Sequence, residues 1–336
     1  MKAPAWSKKI GMGLAALCLV SLTLASSCRQ PTNGPTKVVL AEGMQPIVAP
    51  VYVAYAKGFF KEQGLDVQLV PFPKGKLCLD AVLGGQANFG TVAETPLMHV
   101  GFQHQPVAIL ATMETATKNT KAVARKDKGV QKAADLKGRK IGVPVGGNAE
   151  YFMDVFLQKN GLSRKDVQVV NLNPPEMIGA IVRGDIDAAF SFEPYITRSL
   201  NQLGDKGILL MDADIYRETF DLVSMRPWAE ANRETAEKVL RALVKATQFI
   251  KANRDESVQI VAARIQLDPK ELANIWDYYT FDIVLDQSLM DALNSQAKWA
   301  IDSKTQNGPA PNYSYLFYPE PLKAVNPGAV SIVLTP

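Results

Sequence analysis

Asp66-Val67-Gln68-Leu69-Val70 returns one hundred residues later as Asp166-Val167-Gln168-Val169-Val170. Each stretch is rich in β-branched residues and reads as a short strand. Working outward, each is followed by a Pro-containing loop, a short helical stretch at 77–83 or 176–182, and a glycine at the helix end, Gly85 or Gly184. A second strand follows in both copies, 87–92 and 186–191, and each ends in a carboxylate near a proline: Glu94-Thr95-Pro96 and Glu193-Pro194. Strand, helix, strand units pair in parallel through right-handed crossovers. Two such units predict two similar α/β lobes.

The remaining chain extends this plan. Residues 37–41 form a first strand, and a helix at 50–57 is stopped by Gly58. Strands follow at 107–112 and, crossing to the second lobe, at 121–125; 140–143 opens that lobe, with Gly146-Gly147-Asn148 behind it and Asn148 as N-cap of the next helix. Residues 220–225 return to the first lobe. From about Ala231 the pattern changes to long amphipathic helices, and the aromatic residues between Tyr313 and Tyr318 predict a tail packed on the body. The expected boundaries are 1–27 for a signal segment, 28–36 for a tether, 37–120 and 220–336 for lobe 1, and 121–219 for lobe 2.

Composition narrows the function classes. At 336 residues and 47% hydrophobic content the chain has room for a two-lobed core. Three of its +4 net charges, Lys2, Lys8 and Lys9, lie in a first segment without acids, so the rest is close to neutral and a nucleic-acid partner has no electrostatic basis. Cys18, Cys28 and Cys78 form no CxxC pair, and with only His99 and His104 present no metal site, cofactor or catalytic residue is assigned. Cys78 reads as a small buried apolar residue. The lysines followed by the apolar run Ile10 to Ala25 read as an export signal. Ala25-Ser26-Ser27-Cys28 resembles a bacterial lipobox, which implies lipidation of Cys28 and a cell-surface or periplasmic anchor; ordinary signal-peptidase cleavage is the alternative.

Several local stretches, in order, carry a family resemblance. Met44-Gln45-Pro46, Ala54-Tyr55-Ala56-Lys57-Gly58-Phe59-Phe60 and Gly64-Leu65-Asp66-Val67 resemble the nitrate, sulfonate, taurine and thiamine-precursor binding proteins of bacterial ABC importers. So do Leu83-Gly84-Gly85-Gln86-Ala87-Asn88-Phe89-Gly90, with Asn where Asp is commoner, Asp135-Leu136-Lys137-Gly138-Arg139-Lys140, and Gly184-Asp185-Ile186-Asp187 leading to Glu193-Pro194. The resemblance implies a two-lobed type II periplasmic-binding-protein fold with extra C-terminal helices on lobe 1. It also implies a monomer that closes on a small ligand between its lobes and delivers it to a membrane permease. An enzyme like the fold's thiamine-pyrimidine synthases, or a sensor lobe without transport, remain as rivals.

In α/β sheets ligands lie beyond the carboxyl ends of the strands. The residues just past the predicted strands are Glu42, Met44 and Gln45; Glu94 and Thr95; Glu114 and Thr115; Gly146, Gly147 and Asn148; and Phe192 and Glu193, with Tyr151 close behind on its helix. Four of them are acids, which favours a ligand with amine donors such as an aminopyrimidine. The other reading is an oxyanion, nitrate, a sulfonate or taurine, held by amides of the Gly146-Gly147-Asn148 turn and by Lys74, Lys76 or Lys118. Glu193 reads equally as a hinge residue, and Glu42, Glu94 and Glu114 equally as helix caps or partners of lysines.

Overall fold

The computed structural model describes residues 34–335. The signal segment, Cys28 and the tether as far as Asn33 lie outside the described residues. The first repeated unit runs β1 (Thr36–Gly43), α1 (Ala49–Ala56), α2 (Phe59–Glu62), β2 (Leu65–Phe72), α3 (Gly75–Leu83), β3 (Phe89–Ala93), α4 (Glu94–Phe102) and β4 (Val107–Ala116). The chain then crosses into a second unit: β5 (Thr120–Arg125), β6 (Lys140–Val143), α5 (Asn148–Lys159), β7 (Gln168–Asn171), α6 (Pro174–Arg183), β8 (Ala188–Phe192), α7 (Tyr195–Leu203) and β9 (Gly207–Leu210). It returns through β10 (Glu218–Met225), α8 (Arg226–Ala231), α9 (Arg233–Ala252), α10 (Arg254–Ile265), α11 (Pro269–Ile275), β11 (Tyr279–Val284), α12 (Gln287–Asp302) and α13 (Glu320–Val325).

Two sheets result, ordered β11-β4-β10-β3-β1-β2 and β7-β6-β8-β5-β9. Their cores correspond strand for strand. β1 lies parallel between β2 and β3, β6 lies parallel between β7 and β8, and each third strand is flanked by an antiparallel strand contributed by the far side of a crossing, β10 in one sheet and β5 in the other. The repeated pentapeptides fall on the edge strands β2 and β7. One end differs from the sequence reading: Asp166 precedes β7, because its carboxylate accepts from the Ser163 N–H at 2.9 Å and hydroxyl at 2.7 Å in a capping turn. Two strands, β9 and β11, have no counterpart in that reading.

Alternation builds the second sheet's two faces. Ala122, Ala124, Phe190 and Phe192 pack with Phe152 and Phe156 on one side, and Val123 and Ala189 with Ile181 and Ile196 on the other. Helix α6 ends at Gly184, whose φ of 85° an L side chain rarely adopts. Lobe 1 has a larger core, extended by α9, whose Ala236, Val239, Leu240, Leu243, Ala246 and Ile250 form one buried stripe. The aromatic tail packs as its composition predicts: Tyr313 is buried against Gly101, where a Cβ would sit 2.2 Å from its ring, and Tyr318 N–H donates to the Ile109 carbonyl at 2.9 Å. Cys78 is fully buried.

The lobes also touch through side chains away from the crossing strands. Arg198 on α7 donates to the Ile265 and Gln266 carbonyls at the end of α10, at 2.6 and 3.0 Å. Trp299 on α12 donates to Asp154 on α5 at 3.1 Å, and Tyr195 to the Pro73 carbonyl at 3.1 Å. These contacts flank the strand ends of both sheets.

Candidate functional site

The carboxyl ends of β1, β2, β3, β6 and β8 converge on one small cavity of about 20 Å³, room for about one water molecule. Lobe 1 lines it with Gln45, Lys74, Gly75, Lys76, Ala93, Pro96 and Phe220; lobe 2 lines it with Pro144, Val145, Gly147, Asn148 and Phe192. Two helices begin here. The nine-residue α3 follows Lys74 and the twelve-residue α5 follows Gly147, and neither N-cap makes a side-chain capping hydrogen bond. The first N–H groups of a helix have no intrahelical partner and carry partial positive charge, so both starts present donors to the cavity.

The surrounding charge has the same sign. Lys74 is half-buried, and burial, reinforced by the nearby Lys76 ammonium, lowers its pKa from the usual lysine range. Lys76 holds Asp80 at 2.9 Å on its own helix and its side chain passes 3.7 Å from the position of a Cβ at Gly146, across the lobes. Gln45 is buried and its Oε1 has no hydrogen-bond partner. Of the Gly146-Gly147-Asn148 turn, Gly146 adopts a φ of 82° and donates its N–H to Glu150 at 2.7 Å, leaving Gly147 and Asn148 at the cavity.

Among the described residues no carboxylate lines this cavity. The four acids that sequence places at the strand ends are buried behind it, and the amine-favouring argument drawn from them is corrected by what surrounds each. Glu42 is ion-paired with Arg264; burial raises its pKa and the guanidinium partly offsets this. Glu94 accepts from the Tyr216 hydroxyl, the Gln296 amide at 2.6 Å and the Thr219 N–H at 3.0 Å, with burial again pushing it up. Glu193 pairs with Lys121 at 2.9 Å, both side chains being 2% exposed or less. Glu114 has no partner for either oxygen, and burial, with Glu218, Asp221 and Glu94 nearby, raises its pKa well above the usual range.

Gln45, Gly147, Asn148 and Phe192 are thus brought together from the expected set, and the other members lie elsewhere. Thr95 is buried with its hydroxyl unpartnered between the cavity residues Ala93 and Pro96 in sequence, Met44 is half-buried after β1 with its N–H donating to the Phe72 carbonyl at 2.9 Å, and Thr115 accepts from Arg217 at 3.3 Å. Tyr151 packs edge-on to Tyr216 and Trp299 in a separate groove between α5 and α12. Asn148 is the first helical residue rather than the cap, and its amide donates to Glu218 at 2.7 Å and Thr120 at 3.1 Å. That ties the start of α5 to both crossing strands, because Glu218 also accepts from Asn119 at 3.0 Å and Thr120 at 2.8 Å. The lysines at the head of α3 follow from the same strand-end rule applied to β2. Among the described residues no group of three His, Cys, Asp or Glu could hold a metal ion, and no helix is long and apolar enough to cross a membrane.

Known proteins share this fold. The NMT1/THI5 like family matches residues 45–257, more than half of the chain. The taurine-binding periplasmic protein of Escherichia coli (strain K12) is 30% identical over 217 residues, 63% of this chain and 66% of that one. Among solved structures, the alkanesulfonate-binding protein SsuA of Xanthomonas axonopodis pv. citri, bound to MOPS, superposes with a TM-score of 0.74 at 18% identity, over 86% of this chain and all of the other. The periplasmic nitrate-binding protein NrtA of Synechocystis PCC 6803 does so at 0.70 and 15%, over 87% and 88%. With this fold, these paired sheets and this match, the chain belongs to the NMT1/THI5-like family and carries its two-lobed periplasmic-binding-protein fold.

Proposed function

We propose that the protein is an exported solute-binding protein that closes its lobes on a small organic oxyanion of the sulfonate class and hands it to an ABC importer, without chemistry on the ligand. The observation that carries this reading is the convergence of two uncapped helix starts and two lysines on a cavity without a carboxylate. Helix N-termini and ammonium groups stabilise anions at short range. The buried Gln45 amide adds a group able to turn its NH₂ toward an oxyanion. The relatives named for taurine and alkanesulfonates point the same way. An aminopyrimidine is the weaker reading because the acids that would receive its donors are not among the residues lining the cavity. Lipid anchoring at Cys28 and a monomeric state, with 37–120 and 220–336 moving as one body against 121–219, belong to the same proposal.

Thermal unfolding with panels of alkanesulfonates, nitrate and aminopyrimidines tests it. A ligand at 100 times its Kd adds about 2.7 kcal/mol, a rise of roughly 5 °C for a chain of this size. The rise is expected with a sulfonate; one confined to the aminopyrimidines overturns the reading.

A further inference from the structure

We propose that Glu218 is a positioning residue for ligand capture: it holds Asn148, the first residue of α5, against both crossing strands, so that the helix start facing the ligand moves with the hinge. This rests on the reading above that the anion is met at the start of α5, and it adds to that site a residue that does not line the cavity.

Glu218 is the first residue of β10, the strand that brings the chain back to lobe 1, and is 1% exposed. One carboxylate oxygen accepts from the Asn148 amide at 2.7 Å. The other accepts from the Asn119 amide at 3.0 Å and the Thr120 hydroxyl at 2.8 Å, where the outgoing strand β5 begins. The Asn148 amide nitrogen also donates to the Thr120 hydroxyl oxygen at 3.1 Å, and the Tyr279 hydroxyl on β11 donates to the Asn119 side-chain carbonyl at 3.0 Å. An amide that lines the cavity is thus fastened at the two crossings.

The free N–H groups of a helix start are placed only as well as its first residue is held, and α5 has no side-chain cap to hold it. Glu218 supplies that hold from the hinge. A carboxyl keeps an acceptor oxygen for Asn148 whether or not its other oxygen carries a proton. The cavity has room for about one water molecule, so a larger solute enters with the lobes parted. On closure the Glu218 contact returns the α5 donors to one place relative to lobe 1.

Isothermal titration of the full protein with propane-1-sulfonate at neutral pH tests this. Glu218→Ala and Asn148→Ala are each expected to weaken binding about tenfold, the scale of leaving a buried group without its partner. The double variant is expected to bind no more weakly than the weaker single one, because Glu218 acts through Asn148. Glu218→Gln keeps an acceptor for Asn148 and is expected to regain most of the affinity. Asn119→Ala removes a donor from the other carboxylate oxygen, and is expected to lower the urea midpoint while changing affinity less than about threefold. An additive loss of about a hundredfold in the double variant overturns the inference, as does an Asn119→Ala loss equal to that of Glu218→Ala, which makes Glu218 a structural residue only. Asn148→Ala leaves the carboxylate its other two donors and carries the test if Glu218→Ala does not fold; unchanged affinity in it overturns the inference and leaves the oxyanion reading standing. No binding of the sulfonate by the unaltered protein overturns both.

Discussion

Glu94 and Glu193 stand just beyond β3 and β8, the corresponding third strands of the two lobes, and each is buried. In lobe 2 the acid finds a cation, Lys121, which also lies 4.7 Å from the Tyr278 ring of lobe 1. In lobe 1 it finds only hydroxyl and amide donors, and three further acids, Glu114, Glu218 and Asp221, are buried in the same region without a buried base among the partners described for them. One folding unit used twice has settled its interior charge in two ways. At these two corresponding positions lobe 2 gives the acid a cation, whereas lobe 1 surrounds it with neutral donors and burial raises its pKa. The difference teaches that backbone correspondence does not carry over to electrostatics, because the partners come from different places: Lys121 from the neighbouring strand β5, and Tyr216, Thr219 and Gln296 from the returning chain.

The harshest test of this contrast removes the pairing. Lys121→Met leaves the buried Glu193 without its ion-pair partner, and urea unfolding at pH 7 is expected to show a loss of about 3–5 kcal/mol. A loss no greater than that of Glu114→Gln, which removes an unpartnered acid, would erase the distinction between the lobes.

The second test is pH. Burial, with the Glu94 charge beside it, pushes Glu218 up to about 8 from its ordinary 4.5, and burial likewise raises Glu94, Glu114 and Asp221. The folded state then binds protons more tightly than the unfolded one. The contribution of these acids to stability is full below about pH 4.5 and is lost as pH rises toward 8. For Glu218 alone the decline is on the order of a few kcal/mol, and Glu218→Gln is expected to flatten that part of the curve measured by urea midpoints at pH 5 and 8.5. A curve that rises over this window would place the acids' charges in paired, stabilising contacts and remove the contrast with lobe 2.

The smallest effect concerns the contacts between the lobes. Arg198→Ala removes two hydrogen bonds to the end of α10, a change of about 1 kcal/mol. It is expected to weaken every ligand by a similar few-fold factor in titration, without reordering them. A ligand-dependent change would mean that Arg198 acts on the cavity itself.

The repeat was readable because strand, helix and turn signals are local, and they placed Gln45, Gly147, Asn148 and Phe192 at strand ends facing one cavity. The fate of the acids was not readable for the opposite reason. Arg264 is 222 residues from Glu42, and Gln296 is 202 from Glu94, both in helices whose pattern shows amphipathicity but not position. β11 escaped notice although its burial alternates, because it is a six-residue strand set between α11 and α12. The helix start at Asn148 was displaced by one residue because its amide is drawn to Glu218, seventy residues on.

The Arg198 contact has a consequence for how such a protein could be tuned. Apparent affinity is intrinsic affinity scaled by the fraction of molecules already in the closed form. Substitutions where α7 meets the end of α10 would therefore move the solute concentration at which uptake begins while leaving the order of preference intact. Threshold and selectivity would then sit in separate places, so a lineage meeting a scarcer nutrient could adjust one without relearning the other.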